Sequence, residues 1–303
     1  MNTKRIQVAA YFEARICALE RAERFSTSRN YRRTWASFQG FLRGKPLWMD
    51  QFSPALIARY NRYLSRSGLM RNTISFYNRV LRALYNRAVR EGYARQTHPF
   101  EEVYTGVDTT RKRALPTEVI HRIASLYLPY PEMALARDLF LFSFQARGMS
   151  FVDIAYLTRR NLRDNTIIYT RRKTGQLVSV LVEPWMRRIM DRWGKDAVKP
   201  YLFPIIRTRD PKAAHAQYAA GLCAHNRNLR KIGEMVRLDH TLSSYSARHS
   251  WATVARDAQV PISVISSGMG HTSERTTRIY LTQLDSAIID QANRRVWNAV
   301  GMM

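Results

Sequence analysis

One segment divides this chain into two parts that cannot share a core. From Tyr104 to Pro116 the sequence reads YTGVDTTRKRALP, with no hydrophobic period and with Arg111, Lys112 and Arg113 in a row. That is the composition of a connector rather than of a helix or strand. The organisation it implies is a first domain at 1–104, a basic linker at 105–115 and a second domain at 116–303. Each part is long enough to bury a core of its own.

The first part reads as helix throughout. Tyr31, Trp35, Phe38 and Leu42 recur at helical spacing and form one apolar face. Ser53-Pro54 opens a second helix as cap and first-turn proline, and Gly68 closes it. A third begins near Asn72-Thr73, buries Ile74, Tyr77, Leu81, Leu84 and Ala88, and ends at Gly92. Arg79, Arg82, Asn86 and Arg90 form a polar stripe along that helix. After Pro116 the pattern changes. An apolar helix through Leu135, Leu139, Phe140, Phe142 and Phe144 breaks at Gly148, and Ser150 with Asp153 three residues on resembles a capping-box start. Two β-like runs, Thr166 to Thr170 and Leu177 to Val182, flank Arg171-Arg172-Lys173-Thr174-Gly175 and predict a hairpin with Lys173 at its tip. From Pro184 onward the chain is mostly helical. The fold class is therefore mainly α with a small β-hairpin or sheet in the second domain.

Charge narrows the partner. Forty-nine Lys and Arg against 23 Asp and Glu leave a net charge of +26, which calls for a polyanion. Nucleic acid fits best, with an anionic membrane surface a distant second, and turns the stripe of Arg79, Arg82 and Arg90 and the linker's Arg111, Lys112 and Arg113 into phosphate contacts. No apolar run approaches the roughly eighteen residues of a membrane span, and the first twenty residues carry charges where a signal peptide is apolar. Cys17 and Cys223, the only cysteines, make neither a disulfide framework nor a zinc cluster. The expectation is a reducing, cytoplasmic, nucleoid-associated location.

Two stretches concentrate reactive side chains: Tyr245-Ser246-Ala247-Arg248-His249, and Gly270-His271 followed by Arg278-Ile279-Tyr280. Phosphodiester exchange needs a nucleophilic hydroxyl, cationic donors for the nonbridging oxygens and an acid for the leaving oxygen. Tyr280 supplies the first, Arg248 a planar phosphate grip, His271 a donor, and Lys173 an ammonium for the leaving group. Each alone has an ordinary explanation: a half-buried ring for Tyr280, a turn cap for His271, a solvated tip for Lys173, a structural ion pair for Arg248. No cofactor is called for, and His and carboxylates never fall into metal-ligand spacing.

Order and spacing decide between these readings. The boxes resemble those of the tyrosine recombinase (phage integrase) family. Tyr245 to His249 resembles the family's H-x-x-R-H box and Gly270-His271 its G-H box. Tyr280, nine residues after His271, falls on the nucleophile, and Lys173 before Thr-Gly falls on the hairpin lysine. The helical first part resembles the family's core-site-binding domain. The resemblance implies a two-domain DNA clamp, a 3′-phosphotyrosyl intermediate, a homotetramer on specific, inverted-repeat sites, and integration, excision or inversion as the outcome. A type IB topoisomerase-like relaxer or a non-catalytic DNA-binding protein would be the rival readings.

Two positions depart from the family pattern. Tyr245 stands where a His is usual, and can donate one hydrogen bond but not act as a base near neutral pH. Ser150 stands where the first catalytic Arg is usual, leaving Arg147, across the glycine, or Arg171, near the hairpin, to take its place. The Gly-Met-Ser-Phe-Val-Asp variant resembles recombinases of conjugative transposons and invertible promoters. Beyond Tyr280, Ala287, Ile288, Ala292, Val296 and Trp297 form an amphipathic pattern, for a helix exchanged with a neighbouring subunit or packed on its own domain.

Overall fold

In a computed structural model the chain is described over residues 5–108, 114–271 and 273–280, the side chains of Ile279 and Tyr280 excepted. It divides into two compact units, Met1–Thr110 and Arg111–Met303.

The first unit has four helices among its described residues: α1 (Val8–Arg21), α2 (Phe25–Leu42), α3 (Pro54–Arg66) and α4 (Arg71–Arg90). Helix α3 starts as its sequence predicts, with Ser53 accepting the Leu56 amide at 3.2 Å and Pro54 in the first turn. Aromatic rings fill the core. Phe38 meets Tyr60 edge-on at 4.9 Å, Phe12 stacks on Trp35 at 5.1 Å and Phe52 on Tyr85 at 5.5 Å. Such pairs add roughly 0.5–1.5 kcal/mol each beyond their buried area. Helix α1, whose face of Tyr11, Phe12, Ile16 and Leu19 is buried, was not singled out by the sequence pattern.

The expected linker does not begin at 105. Polar residues on α4 hold the chain that follows it: the buried Asn78 Nδ2 donates to Tyr104 O at 3.2 Å and the buried Ser75 Oγ to Gly106 O at 2.5 Å, and Asn72 exchanges two bonds with the Asp108 backbone at 2.8 and 3.1 Å. The Arg71 guanidinium also lies 3.8 Å over the Tyr104 ring. Residues 104–108 thus belong to the first unit. At the other end Leu115 is buried in the second, its amide donating to Ser250 Oγ at 2.8 Å. The basic run Arg111, Lys112, Arg113 lies outside the described residues.

The second unit is built around α6 (Pro131–Gln145), buried on nearly every side, as a helix apolar all round must be. It is preceded by α5 (Thr117–Ser125) and followed by α7 (Phe151–Tyr156). Helices α8 (Pro184–Gly194), α9 (Pro211–Met235) and α10 (Ser244–Asp257) pack on α6. Short helices α11 (Ile262–Gly268) and α12 (Glu274–Tyr280) close the described chain, both against α10. The predicted hairpin is β2 (Thr166–Thr170) with β3 (Leu177–Leu181), pairing Ile167 with Val180 and Tyr169 with Val178 on its buried face. A two-residue strand β1 (Leu162–Arg163) adds a third antiparallel member through the turn Asp164-Asn165, both at positive φ, 43° and 60°. Asp and Asn are among the residues that tolerate such a tight hairpin turn.

Candidate active site

The site gathers where the loop after α6, the hairpin, the start of α10 and the turn before α12 meet. Helix α10 presents Tyr245, Arg248 and His249 at i, i+3 and i+4. Ser246 helps start the helix by accepting the Ser243 amide at 3.2 Å. Arg248 points inward and is 3% exposed. Its Nη1 donates to Gly148 O at 2.7 Å, and its Nη2 to Met269 O at 2.6 Å and to His271 Nε2 at 2.8 Å. Two backbone carbonyls and a neutral imidazole are among the groups that hold this guanidinium, and none of these three carries a negative charge.

Two glycines make the assembly possible. Gly148 has φ +73°, and a Cβ there would sit 2.7 Å from Arg248 Cα. The turn at Gly148 is therefore wedged against α10 rather than flexible. Gly270 has φ +62°, and a Cβ there would come within 2.7 Å of both Arg171 Cδ and Val178 Cγ2. Only glycine combines this backbone with this closeness.

His271 is buried, between Arg248 at Nε2 and Thr277 Oγ1, 2.8 Å from Nδ1. Burial lowers its pKa to about 4, reinforced by the charges of Arg248, Arg171 and Lys173, so the ring is neutral near neutral pH. A guanidinium only donates, so Nε2 accepts from Arg248 and the proton sits on Nδ1, donated to Thr277.

Arg171, at the end of β2, is 4% exposed, donates from Nη1 to Gly270 O, and leaves its Nε buried without a partner among the described residues. Lys173 is exposed in the following turn, which closes through the Gly175 amide on Arg171 O at 2.8 Å. Asp153, itself buried, ties this turn to α7 by accepting the Arg172 amide at 2.9 Å. Its other oxygen accepts the Ser150 hydroxyl at 2.6 Å. Ser150 therefore gives its proton to Asp153 instead of accepting an amide proton as a helix cap, which corrects the capping-box expectation.

Arg147 is held differently from the other two arginines. Its backbone is left-handed at φ 58°, it is only partly buried, and its guanidinium makes no hydrogen bond or ion pair among the described residues. Its Cδ lies 3.5 Å from the position a Cβ on Gly268 would take. The buried Tyr169 phenol feels the charges of Arg248, Arg171 and Arg147 together, with its pKa raised chiefly by burial. Tyr245 is 44% exposed, its ring edge-on to His249 at 5.1 Å. Tyr280 is the last residue of α12, three after Thr277; its side chain lies outside the described residues.

In the first unit Arg79, Arg82 and Arg90 are exposed on α4, and Arg82 donates to Thr105 Oγ1 at 3.0 Å. Sequence reasoning missed a second basic surface there. Arg43, Lys45, Arg59, Arg62 and Arg66 line a concavity of about 610 Å³ that contains no acid. The spacing of Arg59, Arg62 and Arg66 along one helix face was the available signal. Thr277 was missed as well. Among the described residues no group of three or more His, Cys, Asp or Glu could hold a metal ion, and no helix is long and apolar enough to cross a membrane.

Comparison with known proteins identifies family profiles and solved structures that share this fold. The phage integrase SAM-like domain profile matches residues 7–103, and the phage integrase family profile matches residues 161–286. The second match spans Lys173, Arg248, His271 and Tyr280 and begins after the Gly148 to Asp153 stretch. A search of curated proteins finds no match. Among solved structures, the Tn1549 transposon integrase in complex with a circular intermediate DNA is similar at TM-score 0.67 and 15% identity, over 96% of this chain and 99% of that one. A lambda integrase dimer bound to a COC′ core site is similar at TM-score 0.63 and 13% identity, over 91% and 95%. A lambda integrase tetramer bound to a Holliday junction is similar at TM-score 0.62 and 13% identity, over 91% and 78%. This chain belongs to the tyrosine recombinase (phage integrase) family, whose members are DNA strand transferases.

Proposed function

We propose that the protein recombines double-stranded DNA at specific inverted-repeat sites, cutting and rejoining each strand through Tyr280. The Tyr280 phenol gives its proton to water as its oxygen attacks the phosphorus, the bond to the 5′ oxygen breaks, and a 3′-phosphotyrosyl link keeps the energy of the broken bond. Attack by another strand's 5′ hydroxyl reverses the step, so no nucleotide cofactor is consumed. Arg248 stabilises the charge that grows on the nonbridging oxygens. His271 and Tyr245 donate further hydrogen bonds to them, and Lys173 protonates the leaving oxygen. The carrying observation is the buried Arg248, held by carbonyls and placed 2.8 Å from His271, in boxes whose order ends at Tyr280.

Arg147 takes the place of the arginine missing at Ser150. Of the three arginines near Tyr169, it alone has no hydrogen-bond or ion-pair partner among the described residues, and a left-handed Arg is a strained conformation of the kind that concentrates at functional sites. Arg79, Arg82, Arg90 and the linker's Arg111, Lys112 and Arg113 contact DNA phosphates. The protein works in the cytoplasm, nucleoid-associated, as a homotetramer in which the tail bearing Ile288 and Trp297 docks on a neighbour. An apolar concavity of about 440 Å³ lined by Leu135, Leu139, Phe151 and Ile205 has the character such a tail requires. That tail lies outside the described residues.

Trapping tests the chemistry. On a nicked duplex carrying its site, the wild-type protein forms an SDS-resistant adduct. Tyr280→Phe forms none yet binds the same duplex nearly as well, since one phenol is a small part of the phosphate contacts. An adduct with the Phe variant would place the nucleophile elsewhere.

A further inference from the structure

Thr277 sits in α12 one turn before Tyr280, is fully buried, and has its hydroxyl 2.8 Å from His271 Nδ1. The opposite nitrogen of the same ring lies 2.8 Å from Arg248 Nη2. The three side chains therefore form a continuous chain from α10, through the turn after Gly270, to the helix that carries Tyr280. Charges from Arg248, Arg171 and Lys173 all reach this ring, and no acid is among the causes of its shifted pKa. Its ring nitrogens are held by hydrogen bonds, Nε2 with Arg248 and Nδ1 with Thr277.

We propose that Thr277 is a positioning residue for His271, holding its ring at Nδ1 and fastening it to the helix that ends in Tyr280. A hydroxyl suits this place because it both accepts and donates. In the structure Nε2 accepts from Arg248, so Nδ1 carries the proton and the Thr277 oxygen accepts it. When a phosphate oxygen faces Nε2, that nitrogen must carry the proton, and the hydroxyl turns to donate to Nδ1. The ring stays neutral: it gives up the Nδ1 proton to water and takes one from water at Nε2. A carboxylate at this position would favour only the Nδ1–H form, and an apolar residue would remove the hydrogen bond that Thr277 makes at Nδ1.

The inference rests on the roles given above to His271 and Tyr280, and two substitutions test it. Thr277→Val keeps the shape and removes the hydroxyl; Thr277→Ser keeps the hydroxyl and removes the methyl. In single-turnover cleavage of a nicked duplex, Val should slow adduct formation by about tenfold or more, as loss of a residue orienting a working imidazole does. Ser should stay within about threefold of wild type, and both should bind DNA normally. Nitrogen-15 spectra of the histidine-labelled free protein give a readout independent of cleavage. His271 should show the Nδ1–H tautomer in wild type and Ser, and lose that preference in Val. Should the wild type form no adduct, the proposed function fails while the spectra still decide this inference. Normal cleavage by Val, unchanged tautomers, or a Ser variant as slow as Val would overturn it.

Discussion

The two units spend their arginines in opposite ways. On α4 of the first unit, Arg79, Arg82 and Arg90 stand in solvent. In the second, Arg248 and Arg171 are 3% and 4% exposed and bound to backbone carbonyls around two glycines that admit no side chain. An exposed cation follows a phosphate wherever it lies and is screened by salt. A buried one costs desolvation and keeps a fixed direction, which suits charge that develops at one place during a reaction. The first pattern yields affinity and the second yields geometry. Arg147 fits neither pattern: it belongs to the second unit yet has no hydrogen bond or ion pair among the described residues.

Substitutions can break this division. The largest effect is expected at Arg147: Arg147→Ala should slow single-turnover cleavage by a factor on the order of a hundred while leaving duplex affinity within about threefold. A near-normal rate there, with a crippled Arg171→Ala, would move the role to the hairpin. Next come Arg79→Ala and Arg82→Ala. Each should weaken binding and lower the slope of log affinity against log salt by about one, with cleavage of saturated complex unchanged. A cleavage defect at saturation would erase the contrast between the units. The smallest effect belongs to Ser150→Ala, which removes one hydrogen bond to Asp153. It should cost about 1 kcal/mol of stability in denaturant titration and little activity.

Much of this arrangement is legible in the sequence because it is periodic or local. Helical spacing located α2 to α4 and α6, and the alternation of β2 and β3 gave the hairpin. The order of Lys173, Arg248, His271 and Tyr280 marks a candidate site, and the structure brings Arg248 and His271 of that set together. What escaped depends on bonds between side chains and distant backbone. Ser75 and Asn78 break the apolar face of α4, and only the structure explains them, as partners for the chain at Tyr104 and Gly106. Strand β1 is too short to show alternation. Ser150 and Asp153 carry a capping signature but bond to each other, because Asp153 is also claimed by the Arg172 amide, 19 positions away. Thr277 looks like any helix threonine until His271 is seen beside it.

The central claim is that Tyr280 becomes joined to DNA, and identifying the attachment residue tests it most directly. Adduct trapped on a nicked duplex would be digested with nuclease and trypsin and sequenced by mass spectrometry. Cleavage after Arg278 and Arg294 releases residues 279–294, whose only tyrosine is Tyr280. The account predicts that this peptide carries the nucleotide remnant on Tyr280. A remnant on Tyr245, on Ser150 or on any other residue would contradict it.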